Sequence, residues 1–267
     1  MDLSRSVYYY RSHRDDHAVI EKLQTMADKR PTDGFWKMYF RIRREGLIWN
    51  HKRIHRVYKL LKLNMKRKGK RRLPARIMQA LEAVNEINLS WSMDFMSDAL
   101  QSGRKLRTFN LIDDFNREAL AIEIDTSLPA ERVIRVLEQV IDWRGTPRRI
   151  RVDNGPEFIS FKLAVWCEER GIQLQFIQPG KPTQNAYIER FNGSYRKDVL
   201  DAYLFQDIRQ VRMLTEEFME DYNNERPHDA LGGRSPVDML DVDLWKTSKR
   251  VSHKPTSDMT TIINEIV

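Results

Sequence analysis

The sequence predicts a mixed α/β core preceded by a small all-helical unit. Apolar residues recur at helical spacing up to about residue 64, alternate at strand spacing from residue 87, and then switch between the two periods up to residue 178. Charge divides near the same place. Residues 1–76 carry 22 Lys and Arg against 7 Asp and Glu, and the remainder carries 24 against 31, within a chain of net charge +8. A basic arm joined to a mildly acidic body points to a polyanion as partner. The 267 residues suit one large or two modest domains. No apolar run approaches the ~20 residues of a membrane span, so no membrane partner is expected. The single cysteine, Cys167, excludes an internal disulfide framework and a cysteine-rich zinc site, which suits a cytoplasmic chain.

Three helices fit the N-terminal unit, residues 1–64. Asp15 or Asp16 can cap the first, with Val19, Leu23 and Met26 inward. Asp33 can cap the second, where Phe35, Met38, Tyr39 and Ile42 follow i, i+3, i+4, i+7 and Gly46 ends the run. Asn50 can cap the third, whose apolar stripe is Ile54, Val57, Tyr58 and Leu61. Lys52, Arg53, Arg56 and Lys59 fall on its opposite side. A helix, a short glycine-containing turn and a basic helix have the layout of a helix-turn-helix, whose basic side meets phosphates and base edges. Residues 65–79 read as a basic linker, in which Lys66, Arg67, Lys68, Lys70, Arg71 and Arg72 are suited to following a DNA backbone. The pairs His13/His17 and His51/His55 have zinc-ligand spacing, but without a cysteine pair the solvent- or DNA-facing reading is simpler.

From residue 80 the pattern changes. In INLSWSMDF (87–95), Ile87, Leu89, Trp91, Met93 and Phe95 share one face; Asn88, Ser90, Ser92 and Asp94 share the other. Strands follow at 108–113 and 120–124, joined by the turn DFNRE. Pro129 opens and Gly145 closes a helix with Val133, Val136, Leu137, Val140 and Ile141 inward. A strand at 148–153, a helix from Ser160 to Gly171 and a strand at 173–178 complete a mixed sheet with helices on its faces. The helix of NAYIERFNGSYRKDVL carries the stripe Ile188, Phe191, Tyr195 and Val199, with Asn192 and Arg196 on the face of Glu189.

Three acids have contexts suited to holding hard divalent cations: Asp94 on a strand, Asp153 at a strand end before the Asn154-Gly155 turn, and Glu189 on a helix. Two ions ~3.5–4 Å apart need a carboxylate between them, and clustered carboxylates without cations repel. Asp98, Asp113, Asp114 and Glu157 are rivals, with turn formation the ordinary role for Asp113 and Asp114. Lys181 and Tyr187, flanking the helix, are candidates for DNA contact. Cys167, Trp91 and Trp166 read as core. No role for Arg226 or His228 follows from the sequence.

The segments WSMDF, RVDNGPEF and QPGKPTQNAYIERFNGSYR resemble the three motifs of the retroviral-type integrase core, with 35 residues separating Asp153 from Glu189. NNERPHDALGGRSPVDML and DGFWKMYFRIRREGLIWNHKRIHRVYKLLKL resemble the tail and the helix-turn-helix segment of bacterial insertion-sequence transposases of the IS-three group, second reading frame. The resemblance implies a ribonuclease-H-like integrase core, a five-stranded mixed sheet flanked by helices over residues 80–245; the segment 246–267 reads by composition as a polar tail. The resemblance places the catalytic and metal-binding triad on Asp94, Asp153 and Glu189, a DNA-facing cation on Arg196 and a polar position near the DNA end on Asn192. It also implies Mg²⁺ (or Mn²⁺) as cofactor, two ions during catalysis, double-stranded DNA as substrate, self-association, and a first-reading-frame protein or fusion as partner. The expected activity is metal-dependent hydrolysis at element ends followed by 3′-hydroxyl strand transfer. A DNA-binding accessory protein, silent without its partner, and a general nuclease of the same fold are the alternatives.

Overall fold

A computed structural model describes residues 15–64, 84–153, 155, 161–178 and 185–240. The chain divides into two compact units, Met1–Leu73 and Pro74–Val267. The 65–79 linker, the 246–267 tail, His13, Glu157 and Lys181 lie outside the described residues.

The first unit contains α1 (His17–Lys29), α2 (Phe35–Arg44) and α3 (His51–Leu60). Their apolar stripes meet in one cluster: Val19, Leu23 and Met26, then Met38 and Ile42, then Ile54, Val57 and Tyr58. Each such fully buried aliphatic side chain contributes about 1.5–3 kcal/mol. Asn50 caps α3 as expected, its side-chain oxygen accepting from the Lys52 amide at 2.8 Å. Asp33 does not cap α2. Gly34 holds that position, and the buried Asp33 carboxylate accepts from Arg41 Nε at 2.9 Å. A buried guanidinium one helical stretch away offers a charge-assisted bond that an exposed cap does not. His55 packs edge-on against Phe35, with centroids 4.7 Å apart, and burial lowers its pKa. Among the described residues no three His, Cys, Asp or Glu side chains are grouped to hold a metal ion.

The second unit is built on β1 (Ser90–Ala99), β2 (Lys105–Asp113), β3 (Ala119–Asp125), β4 (Arg149–Val152) and β5 (Gln173–Phe176). The sheet order is β3-β2-β1-β4-β5; β1, β2 and β3 are antiparallel neighbours, and β1, β4 and β5 are parallel. Helices α4 (Ala130–Arg144) and α5 (Phe161–Glu169) cover one face, where Val133, Leu137, Val140, Leu163 and Trp166 pack on Trp91, Met93, Phe109, Leu111, Ile150 and Val152. Cys167 is buried there, and burial pushes its thiol up to about 11, so it packs as a small apolar group.

Helices α6 (Ala186–Tyr195) and α7 (Ile208–Glu220) cover the other face. Ile188, Phe191, Tyr195 and Val199 meet Met96, Leu106, Ile112 and Ile124. The polar phase of β1 is therefore not a solvent face: Ser90 and Ser92 are fully buried beneath this layer. Each helix runs on into a π-helical turn, Arg196–Leu200 after α6 and Asp221–Glu225 after α7. Asp198 in the first turn pairs with Arg226 just beyond the second, which gives Arg226 a structural role. Asn223 accepts from the Ala119 amide at 2.8 Å and donates to the Ala119 carbonyl at 2.9 Å, imitating a neighbouring strand on the edge of β3. His228 packs edge-on against Tyr222, with centroids 4.6 Å apart. Among the described residues no helix is long and apolar enough to cross a membrane.

Candidate active site

The register of the parallel pair builds the site. Ser92 on β1 stands opposite Arg151 on β4. Two residues further along both strands the side chains return to the same face, which brings Asp94 alongside Asp153 just past the end of β4. Glu189 lies in the first turn of α6, the helix that covers this face, and is exposed.

Asp94 is held at both oxygens. Oδ1 accepts from the Phe95 amide at 2.8 Å, and Oδ2 accepts from Asn192 Nδ2 at 2.7 Å. Burial, followed by the negative charges of Asp153 and Glu189, nonetheless pushes its carboxyl up to about 6. Asp153 Oδ1 accepts from the Gly155 amide at 2.9 Å, fixing the turn beyond β4. The three acids thus lie within electrostatic reach of one another. As placed, they do not close: among the described residues no three such side chains could enclose an ion. Their chemistry fits a hard divalent cation. All the donors are carboxylate oxygens, and burial, with the negative charges of Asp153 and Glu189 added to it, favours a proton on Asp94 where no cation is bound.

Of the residues expected to face DNA, Asn192 and Tyr187 make contacts within the protein and Arg196 is shared with two acids. Asn192 is only 8% exposed, and its side chain bridges Asn110 and Asp94, accepting from Asn110 Nδ2 at 2.7 Å. The reason is position: it sits on α6 directly over the polar phase of β1 and β2. The Tyr187 ring lies under the Arg117 guanidinium, 3.4 Å from its centroid. Arg196 is partly exposed and engaged by acids, 3.5 Å from Asp98 and 3.6 Å from Asp201, with a further bond to the Ser97 carbonyl at 3.0 Å. On α3, Lys52, Arg56 and Lys59 are exposed. Arg53 and Arg56 pair with Asp16 at 3.1 and 2.7 Å, and the acid and these bases line a cleft of about 610 Å³ with Asp15, Asn50 and Lys52.

The rival acids have other work. Asp114 is fully buried and accepts from Ser90 Oγ at 2.7 Å, Ser92 Oγ at 2.6 Å and Arg151 Nη1 at 3.1 Å. Asp113 accepts from the amides of Asn88 and Phe115 at 3.0 and 2.8 Å, a turn role. Burial raises the pKa of both. Asp98 is taken by Arg196. The buried network around Asp114 was not foreseen, although its signal is present: Ser90, Ser92 and Arg151 lie on the same strand phase as Asp94 and Asp153.

The fold and this face define a ribonuclease-H-like core of the integrase type. The integrase core domain family matches residues 85–182, and a second family of the same description matches 170–236. The chain is 35% identical to the 31.7 kDa protein of insertion element IS407 from Burkholderia multivorans, over 99% of this chain and 93% of that protein. It is 26% identical to the transposase InsD of insertion element IS2 from Escherichia coli, over 85% of this chain and 80% of that one. Among solved structures it is similar to the HTLV-2 integrase catalytic core in complex with magnesium, at 20% identity and a TM-score of 0.46, covering 57% of this chain and 95% of that one. The BIV integrase catalytic core is similar at 22% identity and a TM-score of 0.46, covering 60% and 99%. The chain belongs to the insertion-sequence transposases that carry an integrase core.

Proposed function

We propose that this chain is the catalytic subunit of a DNA transposase, which hydrolyses a phosphodiester at the ends of a mobile element and joins the freed 3′-hydroxyl to a second DNA site. The observation that supports this reading is the parallel register that carries Asp94 and Asp153 to one face of the sheet, the face covered by the helix that bears Glu189. Asp94, Asp153 and Glu189 would hold Mg²⁺ or Mn²⁺; two such ions supply activation of the attacking oxygen and neutralisation of the leaving one.

The chain's own residues prepare that face. Asn192 and the Phe95 amide orient Asp94, and the Gly155 amide orients Asp153. Lys52 and Lys59, with the linker cations Lys66, Arg67, Lys68, Lys70, Arg71 and Arg72, supply the phosphate-binding charge, and Lys181 and Arg196 lie in sequence on either side of Glu189 for the DNA end. Joining two ends calls for at least two copies of the chain, and a first-reading-frame protein is a further partner. The site of action is the bacterial cytoplasm, on the nucleoid.

The second reading is a DNA-binding accessory protein that is silent without its first-reading-frame partner. Incubating the full chain with a duplex copied from the junction of the element and its host DNA, in Mn²⁺, decides between them. Nicking and joining that Asp153→Asn abolishes, with DNA binding retained, support the enzyme. Binding without cleavage supports the accessory.

A further inference from the structure

We infer that Arg117 is a positioning residue for Glu189: stacked on Tyr187, it fixes the first turn of α6 to the β2–β3 hairpin. The inference rests on the reading of Glu189 as a metal-holding acid.

Four observations meet at Arg117. It adopts a left-handed backbone, φ 64°, which a non-glycine residue takes at a cost. Its guanidinium lies 3.4 Å from the centroid of the Tyr187 ring, a close cation–π stack. Its Nη1 is buried with no hydrogen-bond partner among the described residues, and Asp114 and Tyr222 lie within electrostatic reach of the guanidinium, so the ring is its close contact and the acid its countercharge. Tyr187 is two residues before Glu189, within the same turn of α6.

The hairpin is a firm base for such a strut. Asp113 and Asp114 at its start are tied to Asn88, Ser90, Ser92 and Arg151. Asn116 Nδ2 donates to Glu118 at 2.9 Å and to the Pro236 carbonyl at 3.2 Å, and Glu118 pairs with Arg144 at 2.6 Å. By contrast the side chain of Glu189 is exposed, and Asn185, at the N-cap of α6, makes no side-chain capping hydrogen bond among the described residues. Asn192 fixes the middle of α6 to Asp94; Arg117 fixes its beginning. Ile188 and Phe191 pack the same helix on the sheet, and the two polar ties add a fixed rotation of its first turn, which sets where Glu189 stands relative to Asp94 and Asp153.

The test uses the full chain and Mn²⁺ as probe. Arg117→Gln and Tyr187→Leu are expected to weaken Mn²⁺ binding about tenfold and to lower kcat about tenfold on the element-junction duplex, with KM for DNA nearly unchanged. Tyr187→Phe keeps the ring and is expected to match the parent chain. Hydrogen exchange of amides 186–190 should quicken in Arg117→Gln while amides 208–220 stay as they were, a contrast that general loss of stability does not produce. Parental Mn²⁺ affinity and parental exchange in Arg117→Gln overturn the inference, and so does a rise in KM with kcat intact, which makes Arg117 a DNA contact. If the parent chain itself shows no Mn²⁺ binding that Asp153→Asn removes, the metal reading fails first and takes this inference with it.

Discussion

The side-chain amide of Asn192 donates to the carboxylate of Asp94 across 2.7 Å, joining the middle of α6 to the middle of β1. Its oxygen is used as well, by Asn110. Asn192→Ala therefore strands a buried amide on Asn110 and frees Asp94 to rotate. The expected cost is about 1–3 kcal/mol in denaturant unfolding, with weaker Mn²⁺ binding. An unchanged midpoint in urea would show that the bridge carries no stability.

The raised carboxyl of Asp94 makes a pH prediction for the metal-free chain. Its value is about 6 in the folded state against an ordinary 3.8. Between those values the folded state keeps a proton that the unfolded state has released, so stability falls as pH rises through that window. Above it the loss amounts to about 3 kcal/mol. Asp94→Asn should flatten the dependence and raise the melting temperature of the metal-free protein at neutral pH. Mn²⁺ competes with the same proton, so its affinity should strengthen as pH rises through about 6.

Arg151 and Asp114 form a buried ion pair whose acid is also bound by two serines. Arg151→Met leaves that acid buried without its countercharge and should cost about 3–5 kcal/mol. Adding Asp114→Ala to the same chain should recover part of the loss, because the stranded charge is then gone. A double variant no more stable than Arg151→Met would count against electrostatic coupling between them.

On α3, Asp16 engages Arg53 and Arg56, two of the cations expected to meet phosphate. Asp16→Asn should tighten binding to non-specific duplex DNA at low salt. The log–log salt slope should steepen by about one to two, the signature of one or two more phosphates neutralised. An identical slope would mean that both arginines already reach DNA while paired.

Much of the fold was legible because periodicity reports burial. The stripes Val133, Leu137, Val140 and Ile188, Phe191, Tyr195 are continuous, and the structure buries each of them. The three acids were legible through the motifs around them; any one alone reads as a surface residue. What escaped were pairings between distant residues. Asp33 has the sequence context of a helix cap and is in fact the partner of Arg41. Asp114 reads as a turn residue until Ser90 and Arg151 are brought beside it. Tyr187 and Asn192 are both candidates for DNA contact in the sequence, and which of their neighbours comes from the sheet or its hairpin is a property of the crossing of α6 over β1 and β2, which local pattern does not encode.

The amide of Asn223 occupies backbone groups of Ala119 that an incoming strand would otherwise use. An open edge in a sheet is a template for another chain, and a side chain that blocks it at one rung guards against stacking into aggregates. The segment after α7 is thus a terminator for the sheet as well as a brace. A chain cut before Asp221 would lose that stop, and its fate in solution should be self-adhesion through β3.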